Sequence, residues 1–565
     1  MIKYEYDTAG NKTNMTTPEG KEIKYTYDVN HRLTQIKAPS PLAGEGGGEG
    51  VFSFTYDTSG RRTKLTYPNE VTTTYSYDTA GNLTNLLTQY SELQSQGKKK
   101  LPILKLHTLD SFTYTHDKVG NRLTKTEISD THTDTDTKYS YDTIYRLTQT
   151  MPSKIRPDGK EKEQENKLAP EGLNQGAEIF TYDPAGNRLT GPKEKLNYTY
   201  NQGNQLTELT KQPSPPSEGG DKGVVYTYDK NGNLTKKVEL DDEGQIKKTT
   251  LYSYDYENRL IKVEIQKKDK VKIVTFTYDP FGRRLSKSVH REEIEDDDDN
   301  GGDNKDDDEH HTPRATYYVY DNEDIIMEYN HKSKVTARYV HGLGIDEPLA
   351  VEQKGETYYY HFDGLGSVTA LTDAKGKIVQ RYDYDSFGKL KRYENKVKNP
   401  YTYTAREYDR ETGLYYYRAR YYDAKVGRFI TPDPSLKLSG NVNIPFLLPQ
   451  QLENPQELNP FVYTLNNSIN NIDPTGLSTS APGLPGLSWF LGYAVFRDIG
   501  YKAAILCNSL RRGESGLLTF SIPVNTPISP QGTSFGVFIK INKDCSGECH
   551  SSLYFGPATL SGSGT

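Results

Sequence analysis

The stretch YTYDKNGNLTKK, residues 226–237, decides how the rest of the chain is read. Tyr226 and Tyr228 alternate with Val225 and Thr227, which predicts both rings on one face of a strand. Tyrosine and threonine suit a half-buried pleated surface. Asp229 can bond its own backbone two residues on and so open a turn. Gly232 and Asn233 tolerate the positive φ that tight hairpin turns require. Leu234 and Thr235 then begin a returning strand. One unit therefore predicts half a hairpin, a turn and the start of the next half.

The unit recurs. It stands as YEYDTAGNKTNM from Tyr4, YTYDVNHRLTQI from Tyr25, FTYDTSGRRTKL from Phe54 and YSYDTAGNLTNL from Tyr75. Further copies start at Tyr114, Tyr139, Phe180, Tyr198, Tyr252 and Phe276. A single copy is an ordinary hairpin signal, whereas recurrence in phase marks a repeat array. Composition agrees. Only 33% of the 565 residues are hydrophobic, and the 45 tyrosines far outnumber 17 phenylalanines and one tryptophan. Tyrosine is thus the main burying residue, and a mean hydropathy of −0.82 argues against a close-packed globule of this length. The expected fold is mainly β, a curved, spiralling antiparallel sheet with little helix across residues 1 to about 430. An array of this length predicts an open, partly wound sheet whose N-terminal edge strand is left unpaired.

Charge and patterning exclude some functions. The net charge of −6 is spread over many groups of both signs, which argues against a nucleic-acid surface on the repeats. The N-terminal MIKYEYDTAGNK has no apolar core of a signal peptide, so export is expected to need a dedicated secretion system. It begins within a repeat, which points to missing upstream repeats or an upstream repeat chain as partner. No uncharged apolar run reaches membrane-spanning length. Low-complexity inserts, APSPLAGEGGGEG after Lys37, KQPSPPSEGGDKG after Thr210 and the long charged stretch before Ile179, fall between strands and read as expanded hairpin tips. The acidic run Glu295–His311 lacks the ligand spacing of a calcium loop and reads as another solvated tip.

From Thr316 the pattern becomes denser. YVHGLGIDEPLAVEQKGETYYYHFDGLGSVTALTDAKGKIVQRYDYDSFGKL, NPYTYTAREYDRETGLYYYRARYYDAKVGRFITPDP and NPFVYTLNNSINNIDPTGL follow in order. These segments resemble the core of Rhs proteins, also called YD-repeat proteins, and the upstream units resemble the YD repeat itself. The resemblance implies three parts: YD repeats over 1–315, an Rhs repeat-associated core over 316–477, and a variable C-terminal domain over 478–565. It implies a partial β-shell and, as in polymorphic toxins, an aspartyl-protease activity of the core that frees the C-terminal part. In that family the cut follows the leucine of Asp-Pro-x-Gly-Leu. Here the cut is expected between Leu477 and Ser478, with Asp433 and Asp473, one from each of two Asp-Pro elements, as the catalytic pair. Asp433 lacks the glycine that some relatives carry two residues later. Arg428 is a weaker candidate for orienting the pair. The chemistry asks for two carboxylates because one must activate water while the other, protonated, polarises the carbonyl.

After Leu477 the repeats stop. STSAPGLPGLS reads as a linker, Trp489 to Arg511 as helical, and GLLTFSIPV, SFGVFIKIN and SSLYFGPAT as short strands, which together predict a small α+β domain. All three cysteines lie here: Cys507, Cys545 and Cys549, with His550 adjacent. Ligand spacing for a structural zinc site is incomplete, a Cys507–His550 nucleophile pair stays open, and ordinary buried cysteines are the default. No cofactor or metal is expected. The expected partners are an immunity protein for 478–565 and, through exposed tyrosines, carbohydrate. A non-toxic surface or structural YD-repeat protein is the alternative reading of the whole chain.

Overall fold

The hairpin at Gly223–Leu240 shows how the repeat residues build the sheet. In the computed structural model, strand Gly223–Tyr228 runs antiparallel to Leu234–Leu240. Gly232 closes the turn at φ 88, in the left-handed region that suits glycine, and its amide donates to Asp229 O at 3.1 Å. Asn233 works differently from the expectation. It is not left-handed. Instead its backbone N–H donates to Asp229 Oδ1 at 2.8 Å and its side-chain amide to Oδ2 at 2.9 Å. The aspartate therefore clamps the fourth residue on, and the asparagine completes the clamp.

The two tyrosines of a unit have different tasks. A register slip falls between Thr227 and Tyr228, and the same slip recurs at Tyr27, Tyr56, Tyr77, Tyr254 and Tyr278. Beyond it, Tyr228 Oη donates to Leu206 O in the preceding unit at 2.9 Å. Tyr56 reaches Leu33 O, Tyr254 reaches Leu234 O and Tyr278 reaches Leu260 O in the same way, at 2.7, 2.8 and 2.6 Å. Away from the N-terminal edge strand the first tyrosine position instead packs its ring inward, and phenylalanine serves there at Phe54, Phe180 and Phe276.

The structure describes residues 1–39, 50–94, 103–130, 134–155, 176–191, 196–211, 223–241, 243–268, 270–293, 314–393, 396–436, 455–477, 479–480, 515–523, 534–543 and 549–557. It divides into two units, 1–438 with 445–483, and 439–444 with 484–565. In the first unit, thirteen strands from Lys3–Tyr6 to Glu178–Ile179 form one antiparallel sheet, and sixteen from Leu196–Tyr200 to Leu390–Tyr393 form another. Each strand pairs with the next in sequence. Single bridges at Tyr182–Arg188 and Thr190–Asn197 carry the pattern from one sheet towards the other. Neither sheet closes on itself. Strand Lys3–Tyr6 pairs with Lys12–Thr16 on one side, and all four of its residues are exposed. Helix among the described residues is confined to short 3-10 turns such as Tyr403–Ala405 and Thr464–Asn466, and no described helix is long and apolar enough to cross a membrane.

The central residues of the inserts, 296–308 included, lie outside the described residues, but their flanks locate them. Ala38 pairs with Gly50, Thr210 with Gly223 and Val289 with Arg314. Each insert thus joins two neighbouring antiparallel strands, as a hairpin tip does.

Two sets of contacts assemble the first unit. The early strands pack Met15, Ile36, Phe52 and Leu65 against Met327, Val340, Leu349 and Tyr359 of the second sheet. Arg62 pairs with Glu347 across this seam, and Arg381 with Asp110 at 2.7 Å. The core segment adds a small sheet of Glu407–Asp409, Leu414–Tyr417, Arg420–Asp423 and Arg428–Phe429. Its Leu414, Tyr416, Tyr421 and Ile430 pack on Tyr226, Tyr252, Val263 and Phe276. Buried charges fix the register of that docking. Arg284 meets Asp409 and Glu407 at 2.5 Å each, and Lys237 meets Asp423 at 3.2 Å.

In the second unit the described residues form a three-stranded antiparallel sheet, Ser515–Pro523, Ser534–Lys543 and Cys549–Pro557. These match the three expected strands. The expected helix over 489–511 lies outside the described residues, as do Cys507 and Cys545.

Candidate functional site

The two aspartates singled out from the sequence meet at one arginine. Asp433 follows the short strand Arg428–Phe429, and its backbone N–H donates to Pro460 O at 2.8 Å. Asp473 follows Ile472, whose amide and carbonyl pair with Ser480 at 2.7 and 2.9 Å. Between them stands Arg420, the first residue of strand Arg420–Asp423. Its Nη2 lies 3.0 Å from Asp433 Oδ2 and 3.4 Å from Asp473 Oδ2. Asp433 is 8% exposed and Asp473 2%, so this is a desolvated cluster rather than a surface ion pair. Burial pulls the Arg420 guanidinium below its usual range, and both aspartates act against that shift. The guanidinium lies over the Phe429 ring, 3.7 Å from its centroid.

The other carboxylate oxygens are also engaged. Asp433 Oδ1 accepts from Ser435 N at 2.8 Å and Ser435 Oγ at 2.6 Å. Asp473 Oδ1 accepts the backbone N–H of Leu477 at 3.0 Å. The second aspartate is therefore bonded to the residue that precedes the expected cut; Ser478 lies outside the described residues. Gly476 shapes this turn. At φ 71, a Cβ there would stand 2.2 Å from Tyr417 O, so only glycine fits between the turn and the strand beneath it. Its carbonyl accepts from Arg420 Nε.

Arg428 does not orient the pair. Its guanidinium donates to Asn187 Oδ1 at 3.1 Å and Asn204 O at 2.5 Å, and lies over the Tyr200 ring. Arg420 takes the place expected of it. The signal in the sequence was the charge within YYYRARYYDA, a run whose tyrosines are buried and whose arginine therefore needs a buried acidic partner. No group of three or more His, Cys, Asp or Glu side chains that could hold a metal occurs among the described residues.

A wall of hairpin repeats joined to a tyrosine-rich core defines a class of protein, and the comparisons identify it. Residues 111–472, well over half of the chain, match the teneurin YD-shell family, and residues 3–40 and 56–89 match the RHS repeat. The chain belongs to the YD-shell family. It is 29% identical over 323 residues to the tRNA3(Ser)-specific nuclease WapA of Bacillus spizizenii, covering 55% of this chain and 11% of that protein. It is 24% identical over 342 residues to the double-stranded DNA deaminase toxin A of Burkholderia cenocepacia, covering 55% of this chain and 22% of that protein. A crystal structure of TcdB2-TccC3-Cdc42 shares the fold with a TM-score of 0.51 at 19% identity, covering 84% of this chain and 21% of that one. The chain thus spans well under a third of the length of these relatives.

Proposed function

We propose that this chain works as part of an Rhs-type polymorphic toxin, in which the core hydrolyses its own Leu477–Ser478 bond and frees residues 478–565. The observation that carries the reading is the meeting of Asp433 and Asp473 on buried Arg420, with Asp473 bonded to the Leu477 amide. Hydrolysis by such a pair needs one carboxylate ionised and the other protonated. That state supplies one base and one acid. The carboxylate takes a proton from water as the water oxygen bonds to the Leu477 carbonyl carbon. The carboxyl group polarises the carbonyl oxygen. Collapse breaks the C–N bond, and the Ser478 nitrogen leaves with a proton from the acid. In this reading the repeats, completed by upstream repeats or a partner chain, wall off the C-terminal part until it is cut, and an immunity protein protects the producer. Delivery to the outside follows a dedicated export route.

Intact-mass measurement of the whole expressed chain tests this. A wild-type fragment ending at Leu477, absent in Asp433→Asn and in Asp473→Asn, is the expected result. An uncut wild type ends the reading, and a fragment that persists in both variants assigns the cut to another protease.

A further inference from the structure

The turn that carries Leu477 is held from below as well as by Asp473. It rests on the tip of the two-residue hairpin between Leu414–Tyr417 and Arg420–Asp423, where Tyr417 pairs with Arg420. Three successive carbonyls of the turn are taken by three successive residues of that hairpin. Pro474 O accepts from Arg418 Nη1, Thr475 O from the backbone N–H of Ala419 at 3.2 Å, and Gly476 O from Arg420 Nε.

Arg418 is the unexpected member. It has φ 54, in the left-handed region where a tight hairpin tip favours glycine. A side chain kept in such a backbone position is held there by its surroundings. Here Asp346 does the holding: its Oδ1 lies 2.8 Å from Arg418 Nη2 and its Oδ2 3.2 Å from Nη1. This is the paired geometry that a guanidinium offers a carboxylate and a lysine cannot. Glu323 lies 3.5 Å from Arg418 Nε. Asp346 is itself left-handed at φ 59 and also takes Arg406, whose Nε and Nη2 hold Tyr416 O at 3.1 and 2.7 Å. The chain of contacts runs from Arg406 through Asp346 and Arg418 to the Pro474 carbonyl, and none of it touches Asp433 or Arg420.

We infer that Arg418, braced by Asp346, is a positioning residue that fixes the 473–477 turn in the one conformation that presents the Leu477–Ser478 bond to the two aspartates. The inference rests on the cleavage reading above and adds a residue to it. Glycine at 418 relieves the backbone and removes the grip. Arg418→Gly in the full chain is therefore expected to slow cleavage at least tenfold at a temperature where the chain stays folded, the relieved backbone offsetting part of the lost ion pairs. Guanidinium ion at a non-denaturing concentration restores part of the lost rate, and Arg418→Lys does not. Wild-type cleavage by Arg418→Gly overturns the inference, as does slower cleavage that tracks lost stability and ignores added guanidinium. A second measurement stands apart from cleavage. In the Asp473→Asn background, hydrogen exchange at the Gly476 and Leu477 amides is expected to rise at least tenfold on adding Arg418→Gly. Unchanged exchange refutes the grip. An uncut wild type removes the cleavage reading alone, because exchange still decides whether Arg418 holds the turn.

Discussion

The repeat hairpins and the core segment use the same residues to opposite ends. The bonds that shape a hairpin are near. Asp229 clamps Asn233, and Tyr228 reaches one unit back. The bonds that dock and assemble the core are distant. Arg284 waits for Glu407 and Asp409, Arg122 for Ile469 O and Gly364 O, and Arg420 for two aspartates on separate loops. Local bonding can be repeated and lost one copy at a time. Distant bonding occurs once, so a single loss is not made good elsewhere. Sensitivity to substitution should therefore differ sharply between the two regions.

The largest effect is expected where the regions join. Arg284→Met takes the shared partner from buried Glu407 and Asp409, of which Asp409 keeps Lys287, and should cost about 3–5 kcal/mol in denaturant unfolding. A smaller loss is expected at the seam between the two sheets when the pH falls. His361 is 1% exposed, and burial pulls its imidazole down to about 3. Its neutral ring bonds Thr372 Oγ1 and packs on Tyr67. The unfolded histidine binds a proton below its ordinary value, and the folded one does not until about pH 3. Stability from this group is thus complete above pH 6.5 and is lost as pH falls towards 3, by about 3 kcal/mol at pH 4. His361→Gln should flatten that part of the acid unfolding profile; an unchanged profile places the acid sensitivity elsewhere.

Within the core, Gly476→Ala should cost about 1–3 kcal/mol, since both its φ and the nearby Tyr417 carbonyl oppose a methyl group. Thermal unfolding reads this directly. In the repeats the same logic separates two tyrosines of one unit. Tyr228→Phe removes a bonded hydroxyl and should cost about 1 kcal/mol. Tyr226 Oη is buried with no hydrogen-bond partner, so Tyr226→Phe should be neutral or slightly stabilising. Equal losses at the two positions break the division of labour between them. One further small change is a gain. Tyr145 occupies the turn position of Gly232 at φ 64, and Tyr145→Gly should raise stability by about 0.5 kcal/mol.

The sequence made the repeats legible because their signals are local. Strand alternation, turn glycines and tip inserts each lie within a few residues of their cause. The three strands of the C-terminal unit were legible for the same reason. Asp433 and Asp473 were named from family resemblance, and the residue that joins them was not. Arg420 faces its partners only after the small sheet forms, and no spacing rule links position 420 to 433 and 473. The hydroxyl ladder escaped notice for a related reason. Alternation shows which face a tyrosine occupies, but its acceptor is a carbonyl in the preceding unit, exposed by a bulge that alternation does not announce.

That ladder bears on how such a chain can change its length. Most units bring their own turn acid, their own left-handed turn residue and their own hydroxyl donor, and each such donor looks back to the unit before it. An in-frame duplication of one unit inserts two strands whose hairpin bonds are already specified, and the unit downstream finds an identical acceptor waiting. The hairpin bonding of the wall can lengthen by copying, while the single contacts to the core cannot.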